Sequence, residues 1–360
     1  MVDGTEKRLP KSSDVKLRDI AERTGLNIST VSRALRGERR WVSEAVIAQV
    51  RAIAAEMGYN PSLSHSARRL ALQKYGQRPL SHVIAVLIPP QISGGNVFST
   101  YFTCTFEAVL DTCAPQGFGI FTTYNNQPPH PLILRGEVDG LISVAQPLSD
   151  YPEINSLDIP MITLNNPEPG FPAVGVDDQG GAALALGHLL DLGHRHIAYC
   201  HNPAKMSVIG HARIAGYQQA CQERGIDPET VLHCTEKANA PGWGWAALAQ
   251  RLLLLLDAQP EITAILARND HEASLIWQLL LQRGLRVPDD ISLVGFDDAS
   301  PITNEAGINI LTTVHAPLRE IGCEGARLLL QHLLHEEPIP PRTILPTDLV
   351  ERGTTGPPRA

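Results

Sequence analysis

The stretch that most constrains the fold of this chain is residues 15–60, which has the pattern of three short helices. Leu17, Ile20 and Ala21 recur at helical spacing, so the first helix buries one narrow apolar stripe. Gly25 follows, and glycine accepts the left-handed conformation in which many helices end. The first helix is therefore predicted to end just before Gly25.

The second helix of this stretch has its apolar residues on one face and its polar residues on the other. Asn27 is well placed as its N-cap. The inward positions are Val31, Ala34 and Leu35, and the outward positions are Ser29, Thr30, Ser32 and Arg33. Two short helices joined in this way predict a helix-turn-helix whose second helix is a polar recognition helix.

A third helix is predicted to follow Ser43, its N-cap, and to bury an apolar face. The residues of that face are Val46, Ile47, Val50, Ile53 and Met57. The loop before this helix, residues 36–41, contains three arginines. Those arginines either contact DNA phosphates or lie in a solvated loop.

Charge is divided unevenly along the chain. Residues 1–78 contain 15 Lys+Arg against 8 Asp+Glu, although the whole chain of 360 residues has a net charge of −8. A basic head on an acidic body suits a polyanion-binding module attached to a body that stays off the polyanion.

The rest of the composition is ordinary for a globular protein, with 43% hydrophobic and 19% charged residues. The six cysteines form no C-x-x-C pair, which indicates small buried side chains in a reducing compartment. The first residues lack the apolar segment of a secretion signal, and the longest apolar run is too short to span a bilayer. We therefore expect a cytoplasmic protein with no membrane partner.

The helical stretch resembles the DNA-binding segment of the lactose-repressor (LacI/GalR) family, in which a segment like residues 17–25 leads into one like residues 30–35. The loop over residues 36–41 is one residue longer than the family's usual loop. The resemblance implies a hinge helix after Pro61 that forms on DNA and inserts a leucine into the minor groove. Arg68 stands where that leucine is expected, so residues 62–79 are either a hinge helix or a plain linker.

The resemblance and the helix pattern together predict a double-stranded DNA operator as a partner. The residues predicted to contact it are Leu17, Asn27, Ile28, Ser29, Thr30, Ser32, Arg33, Arg39, Arg40, Tyr59, Ser62, Arg68 and Leu70. Ile28, Ser29 and Arg33 are expected to read bases, whereas Arg39 and Arg40 are expected to contact phosphates.

From residue 82 onward, apolar runs with strand composition alternate with helical ones, which predicts parallel sheet covered on both faces. The predicted strands are residues 83–88, 119–124, 140–144, 161–164, 196–200, 264–266, 291–296 and 310–314. The predicted helices are residues 101–113, 181–192, 214–224, 245–256, 271–283 and 321–335.

The resemblance extends over this body, on the motifs Val174-Gly175-Val176-Asp177-Asp178, Arg213-x-x-Gly216-Tyr217 and Val294-Gly295-Phe296-Asp297-Asp298. It implies a small all-α helix-turn-helix head followed by an α/β two-lobed periplasmic-binding-protein-like clamshell, whose chain returns to the first lobe near its end. The expected boundaries are a disordered leader over residues 1–13, the head over 14–61, hinge helix and linker over 62–79, and an effector-binding and homodimer-forming clamshell over 80–355. The segment 124–137 leaves no room for a full second helix in the first lobe, so that helix is predicted to be truncated.

Ligands of open α/β sheets bind beyond the carboxyl ends of the strands, and a clamshell brings two such sets of ends to one cleft. The residues predicted to bind a small effector there are Phe98, Asn165, Arg213, Trp243, Asn269 and Asp297. Their donors, acceptors and flat apolar faces suit a sugar or related polyol. Each polar residue has another interpretation: Asp297 and Asp298 as helix N-caps, Asn269 as a cap of the next helix, and Arg213 in a surface ion pair.

No cofactor and no enzymatic activity are expected. His188, His194 and His196 span a helix end, a turn and a strand start, so their side chains should diverge rather than bind a metal. Neither a phosphate-loop glycine pattern nor G-x-S-x-G occurs. Two classes of function remain, a ligand-responsive transcriptional regulator, usually a repressor, and a soluble binding protein or enzyme that shares the clamshell. The helix-turn-helix favours the first.

Overall fold

The computed structural model describes residues 17–36, 41–57, 59, 80–88, 100–124, 129–145, 148, 152–155, 157, 159–200, 208–234 and 245–359. They belong to two compact units, Met1–Leu80 and Ser81–Ala360, which we call the head and the body.

Three helices form the head: α1 (Leu17–Thr24), α2 (Ile28–Arg36) and α3 (Glu44–Glu56). Gly25 follows α1 with a φ of 67°, in the left-handed region. The Asn27 side chain accepts a hydrogen bond from the amide of Thr30 at 2.8 Å, and Ser43 accepts one from the amide of Val46 at 3.5 Å. Both predicted N-caps are therefore confirmed, and the short turn between α1 and α2 completes the helix-turn-helix.

All three helices contribute to a small hydrophobic core. Its buried members are Ile20, Ala21, Val31, Ala34, Val42, Ile47, Val50, Ala54 and Tyr59. Fully burying a large apolar side chain stabilises a fold by about 1.5–3 kcal/mol, so this core holds α2 against α1 and α3. Tyr59 is only 9% exposed, so packing is the role that the structure gives it. Its contact with DNA stays a prediction.

Two six-stranded sheets form the body. The first contains β1 (Val83–Ile88), β2 (Gly119–Tyr124), β3 (Gly140–Val144), β4 (Met161–Leu164), β5 (Ala173–Val176) and β11 (Arg342–Leu345). Its strand order is β11-β5-β4-β3-β1-β2, with parallel pairing throughout.

The second sheet contains β6 (Ile197–Tyr199), β7 (Leu232–Cys234), β8 (Ala264–Leu266), β9 (Ser292–Asp297), β10 (Thr312–His315) and β12 (Asp348–Val350). Its strand order is β12-β10-β9-β8-β6-β7. The β12 strand runs antiparallel to β10, which departs from the purely parallel pattern predicted.

The helices of the body lie against these sheets and bury their apolar faces there. They are α4 (Thr100–Cys113), α5 (Pro131–Leu134), α6 (Pro152–Asn155), α7 (Asp178–Asp191), α8 (Val208–Glu223), α9 (Pro228–Val231), α10 (Trp245–Ala258), α11 (Asp270–Gln282) and α12 (Leu318–His335). Although it follows the second lobe, α12 packs on α4 of the first. A Cβ at Gly322 would lie 2.3 Å from the carbonyl oxygen of Thr105, so only glycine permits this close approach. The predicted return of the chain to the first lobe is therefore confirmed.

All eight predicted strands are present, with ends within two residues of those predicted, and the truncated second helix is confirmed as α5. Four strands were not predicted: β5, β7, β11 and β12. All four are only three or four residues long, which is too short for a clear apolar pattern. Three of them, β7, β11 and β12, also lie at sheet edges. The predicted start of α8 at residue 214 was wrong, since that helix begins at Val208.

The last residues of the chain pack onto the second lobe through His194, which is fully buried. Its Nε2 donates to the carbonyl oxygen of Gly356 at 2.9 Å, and its Nδ1 accepts from the hydroxyl of Thr263 at 2.8 Å. Burial lowers the pKa of His194, which fits a neutral ring in these two roles. The packed body therefore continues beyond the predicted end at residue 355.

Of the three histidines singled out in the sequence, His188 and His194 contact the adjacent residues Thr355 and Gly356, so the predicted divergence holds only for His196. His188 contacts Thr355 at 2.9 Å, and His196 lies 3.3 Å from His233.

All six cysteines are free. Over the described residues, no helix is both long and apolar enough to cross a membrane.

Candidate ligand cleft and nucleic-acid interface

An ion pair between Asp178 and Arg213 lies where α7 and α8 pack together in the second lobe. Asp178 is the first residue of α7, and its Oδ1 accepts a hydrogen bond from Nε of Arg213 at 2.9 Å. The two side chains are only 11% and 17% exposed. The sequence prediction put Arg213 at a helix start and left open a surface pair. Both are corrected, because Arg213 lies within α8 and its ion pair is largely buried.

The guanidinium of Arg213 has further contacts that fix its orientation. It lies over the ring of Phe296, 3.5 Å from the ring centroid, and its Nη1 donates to the carbonyl oxygen of Arg268. Arg268 in turn forms an ion pair of 2.5 Å with Glu272, at the start of α11. Arg213 is therefore held in place, and its positive charge is already balanced by Asp178.

Asp297 ends β9 beside this pair, with a backbone φ of 100°. A non-glycine residue in that region is strained, and such strain concentrates at functional sites. Burial raises the pKa of Asp297 to about 8, and the charges of Asp270 and Asp178 add to the rise, whereas Arg213 opposes it. Asp297 accepts no hydrogen bond from another described side chain or amide, so its carboxyl group remains open to a ligand.

The N-cap interpretation of Asp297 and Asp298 does not hold. The next helix after β9 is α12, which begins after Pro317. Asp298 instead pairs with Arg352 at 2.9 Å and with His315 at 3.3 Å.

Asn165 and Tyr101 approach the same point from the first lobe. Asn165 follows β4 with a φ of 55° and is 7% exposed, yet its buried Nδ2 has no hydrogen-bond partner among the described residues. Its amide lies near enough to the Tyr101 hydroxyl to lower the phenol pKa, although Nδ2 does not reach hydrogen-bonding geometry. Burial outweighs this effect and raises the pKa of Tyr101 well above its usual value, together with the charges of Asp297 and Asp178.

Asn269 and Asp270 stabilise the second-lobe wall. Asn269 is the N-cap of α11, because its Oδ1 accepts from the amide of Glu272 at 2.8 Å. The alternative interpretation of Asn269 as the N-cap of the next helix is therefore confirmed, and the cap uses its side-chain oxygen. Asp270 accepts from the amide of Ala299 at 2.7 Å and from the hydroxyl of Thr313 at 2.5 Å, and burial raises its pKa to about 6.

Three polar groups thus lie near one another between the lobes: the Tyr101 hydroxyl, the Asp297 carboxyl and Asn165 Nδ2, which is buried without a hydrogen-bond partner among the described residues. An unpaired buried polar group costs about 1–3 kcal/mol, so Asn165 Nδ2 favours a ligand that supplies the missing acceptor. Asn165 can donate, Asp297 can accept, and a phenol can do either. This combination suits a molecule with several hydroxyl groups. A cavity of about 140 Å³ beside Asp178 and Ala212 is smaller than a usual ligand site, which measures about 300–1,000 Å³.

Two residues of this cluster, Tyr101 and Asp178, were not predicted from the sequence. Both were accessible to the strand-end rule, because Asp178 follows β5 and Tyr101 lies in the first turn of the helix after β1. Two predicted effector residues, Phe98 and Trp243, lie outside the described residues.

In the head, the start of α2 offers an exposed surface. Ile28 is 49% exposed, and Ser29 and Arg33 are exposed too. Trp41, just before α3, is 64% exposed, and the guanidinium of Arg33 lies 5.7 Å from the centroid of its ring. The other predicted DNA contacts divide as follows: Thr30 and Ser32 are partly buried, Leu17 packs against the core, and Arg39, Arg40, Ser62, Arg68 and Leu70 lie outside the described residues.

Comparison with known proteins agrees with both halves of this arrangement. Residues 16–62 match the family model of bacterial regulatory proteins of the lacI family, and residues 186–355 match that of a periplasmic binding protein-like domain. The HTH-type transcriptional regulator DegA of Bacillus subtilis (strain 168) is 31% identical over 351 residues, which cover 94% of this chain and 97% of DegA.

Two solved structures resemble the chain at 26% identity. The lac repressor dimer bound to operator and the anti-inducer ONPF gives a TM-score of 0.64 and covers 95% of this chain and 99% of that one. A LacI family transcriptional regulator from Enterococcus faecium with bound ribose gives a TM-score of 0.63 and covers 76% of this chain and 99% of that one.

Proposed function

The chain belongs to the LacI family of bacterial regulatory proteins, and we propose that it is a cytoplasmic, homodimeric repressor whose operator affinity depends on a bound sugar or related polyol. Its relatives are transcriptional regulators, and no enzymatic activity is proposed. The observation that supports the ligand half of this function is the convergence of Tyr101, Asn165 and Asp297, with Asn165 Nδ2 buried and unpartnered among the described residues. The ribose in the structure of the Enterococcus faecium relative supports the same class of ligand.

The DNA half of the proposal rests on the exposed start of α2. One short helix reads too few base pairs to be specific alone, so two heads are needed, one for each half of a near-palindromic operator. The dimeric lac repressor bound to its operator supports this arrangement. Ligand and operator are then linked reciprocally: if one weakens the binding of the other, the factor is the same in both directions, typically about 5–150-fold.

The proposal is tested by the mobility of DNA flanking the protein's own gene, with the full-length protein and with a panel of sugars, nucleosides and amino acids. We expect a shifted complex whose midpoint moves when a sugar is added. A shift that no member of the panel alters would refute the ligand half. Absence of any preference over unrelated DNA would refute the operator half.

Replacing Arg33 with alanine is expected to weaken operator binding by about 1–3 kcal/mol and to relax discrimination at one base position. Arg33 is exposed on α2, and its guanidinium can make a bidentate contact with guanine. Competition binding with single-base variants of the operator measures both effects. Unchanged operator preference would contradict the assignment of Arg33 to a base.

Replacing Arg40 with alanine is expected to weaken specific and non-specific DNA alike, since a phosphate contact carries no sequence information. The slope of log affinity against log salt should become shallower by about one unit, because one fewer counterion is released. Titrations at several salt concentrations measure this slope. A slope equal to that of the wild type would return residues 36–41 to the interpretation of a solvated loop.

A further inference from the structure

Trp41 is unusual among the described residues of the head because it is a large apolar side chain that remains 64% exposed. Its position is nevertheless well defined by its neighbours. Val42 is 7% exposed within the head core, and Ser43 caps α3. The backbone that bears Trp41 is therefore anchored, and its ring stands at the surface beside α2.

One neighbour of this ring is the guanidinium of Arg33, 5.7 Å from the ring centroid. A guanidinium within about 6 Å of an indole face is attracted by the electrons of the ring, by about 0.5–1 kcal/mol at an exposed site. The guanidinium has no hydrogen bond or ion pair with another described residue. Its N–H groups lie in the plane of the group and remain available to the two acceptors that guanine presents in the major groove.

Fixing a free arginine side chain on a base costs conformational entropy. Because the Trp41 ring already restricts the guanidinium, part of that entropy is lost before DNA binds. We infer that Trp41 is a positioning residue that orients Arg33 for its contact with guanine, so that base discrimination by Arg33 depends on the aromatic ring of Trp41. This inference rests on the proposed function of Arg33 as a base-reading residue.

A double-mutant cycle on the full-length protein tests the inference. Selection of wild-type binding sites from a random duplex library first supplies a preferred duplex. The affinities of that duplex and of its single-base variants are then measured for Arg33→Ala, Trp41→Ala, Trp41→Phe, Trp41→Leu and the double variant Arg33→Ala with Trp41→Ala. The helical circular dichroism signal of each variant controls for folding.

Trp41→Ala should reduce discrimination about two- to fivefold at the base pair read by Arg33, and at no other, because that factor corresponds to the loss of about 0.5–1 kcal/mol. Trp41→Phe should retain most of the discrimination, whereas Trp41→Leu, which is apolar but not aromatic, should lose as much as alanine. In the Arg33→Ala background, loss of Trp41 should have no further effect on discrimination.

Unchanged discrimination in Trp41→Ala, or equal performance of phenylalanine and leucine, would overturn the inference. So would a loss of the same size in the Arg33→Ala background, since Trp41 would then contact DNA by itself. If Arg33→Ala leaves discrimination intact, the proposed role of Arg33 fails and the inference fails with it. If Arg33→Ala has its effect and Trp41→Ala has none, only the inference fails.

Discussion

Replacing Asp178 with alanine is expected to lower the free energy of unfolding of the body by about 3 kcal/mol. Breaking a buried ion pair typically costs about 3–5 kcal/mol, because the remaining charge is left without a partner in a poorly solvated place. Here that charge is Arg213, which is held by the Phe296 ring and the Arg268 carbonyl oxygen and cannot turn freely to water. We expect the low end of the range because the charge of Asp178 raises the pKa of Asp297, so loss of Asp178 favours an ionised Asp297 that replaces part of the lost charge.

The same two helices supply a matched control. At their other ends, Asp191 of α7 pairs with Arg224, which follows α8, at 2.8 Å, but Asp191 is 66% exposed. Exposed pairs contribute about 0–1 kcal/mol, so Asp191→Ala should change little. Urea unfolding of both variants measures the difference. Equal losses would contradict the view that burial of Asp178 sets the cost.

Replacing Asp297 with asparagine is expected to stabilise the ligand-free body while it abolishes the response to the ligand. In the folded wild type, Asp297 keeps its proton up to about pH 8, whereas in the unfolded chain it loses it near the usual value of 3.8. The contribution of Asp297 to the free energy of unfolding is therefore highest below pH 3.8 and is lost as pH rises toward 8. Asparagine does not titrate, so the gain in the free energy of unfolding of Asp297→Asn over the wild type should be small at pH 4 and about 2 kcal/mol at pH 8. This gain is smaller than the full pKa difference implies because the Asp297 side chain is partly exposed.

The ligand response of Asp297→Asn should fall because a hydrogen bond to a charged or ionisable group contributes about 1.5–3 kcal/mol, or about 10–150-fold in affinity. Operator affinity with and without the sugar that acts on the wild type measures this loss, and urea unfolding at pH 4 and pH 8 measures stability.

Asp298→Asn is the control for this prediction. Asp298 is the next residue, but it is paired with Arg352, so its loss should destabilise the body and leave the ligand response in place. An undiminished response in Asp297→Asn would contradict the assignment of Asp297 to the ligand. Destabilisation by both variants would contradict the claim that Asp297 is unpartnered.

Local features of the sequence determined the head and most elements of the body. Helical spacing in α1 and α2, the Asn27 and Ser43 caps and the glycine after α1 each act within a few residues, so they can be read from the chain alone. The apolar runs of the central strands are equally local. The strand-end rule likewise selected Asn165, Arg213 and Asp297, because the carboxyl ends of parallel strands meet by geometry.

Only the tertiary structure decided which of these side chains are paired and which remain open. Asp178 is 35 residues before Arg213, and the pair exists only because α7 and α8 pack together. The tertiary structure also showed that Asn269 is a cap and that Tyr101 joins Asn165 in the cleft. In the head, the ring of Trp41 lies near the Arg33 guanidinium, although the composition of residues 36–41 predicts only charge. Short edge strands were missed for the same reason, since their stability comes from neighbouring strands that are distant in the sequence.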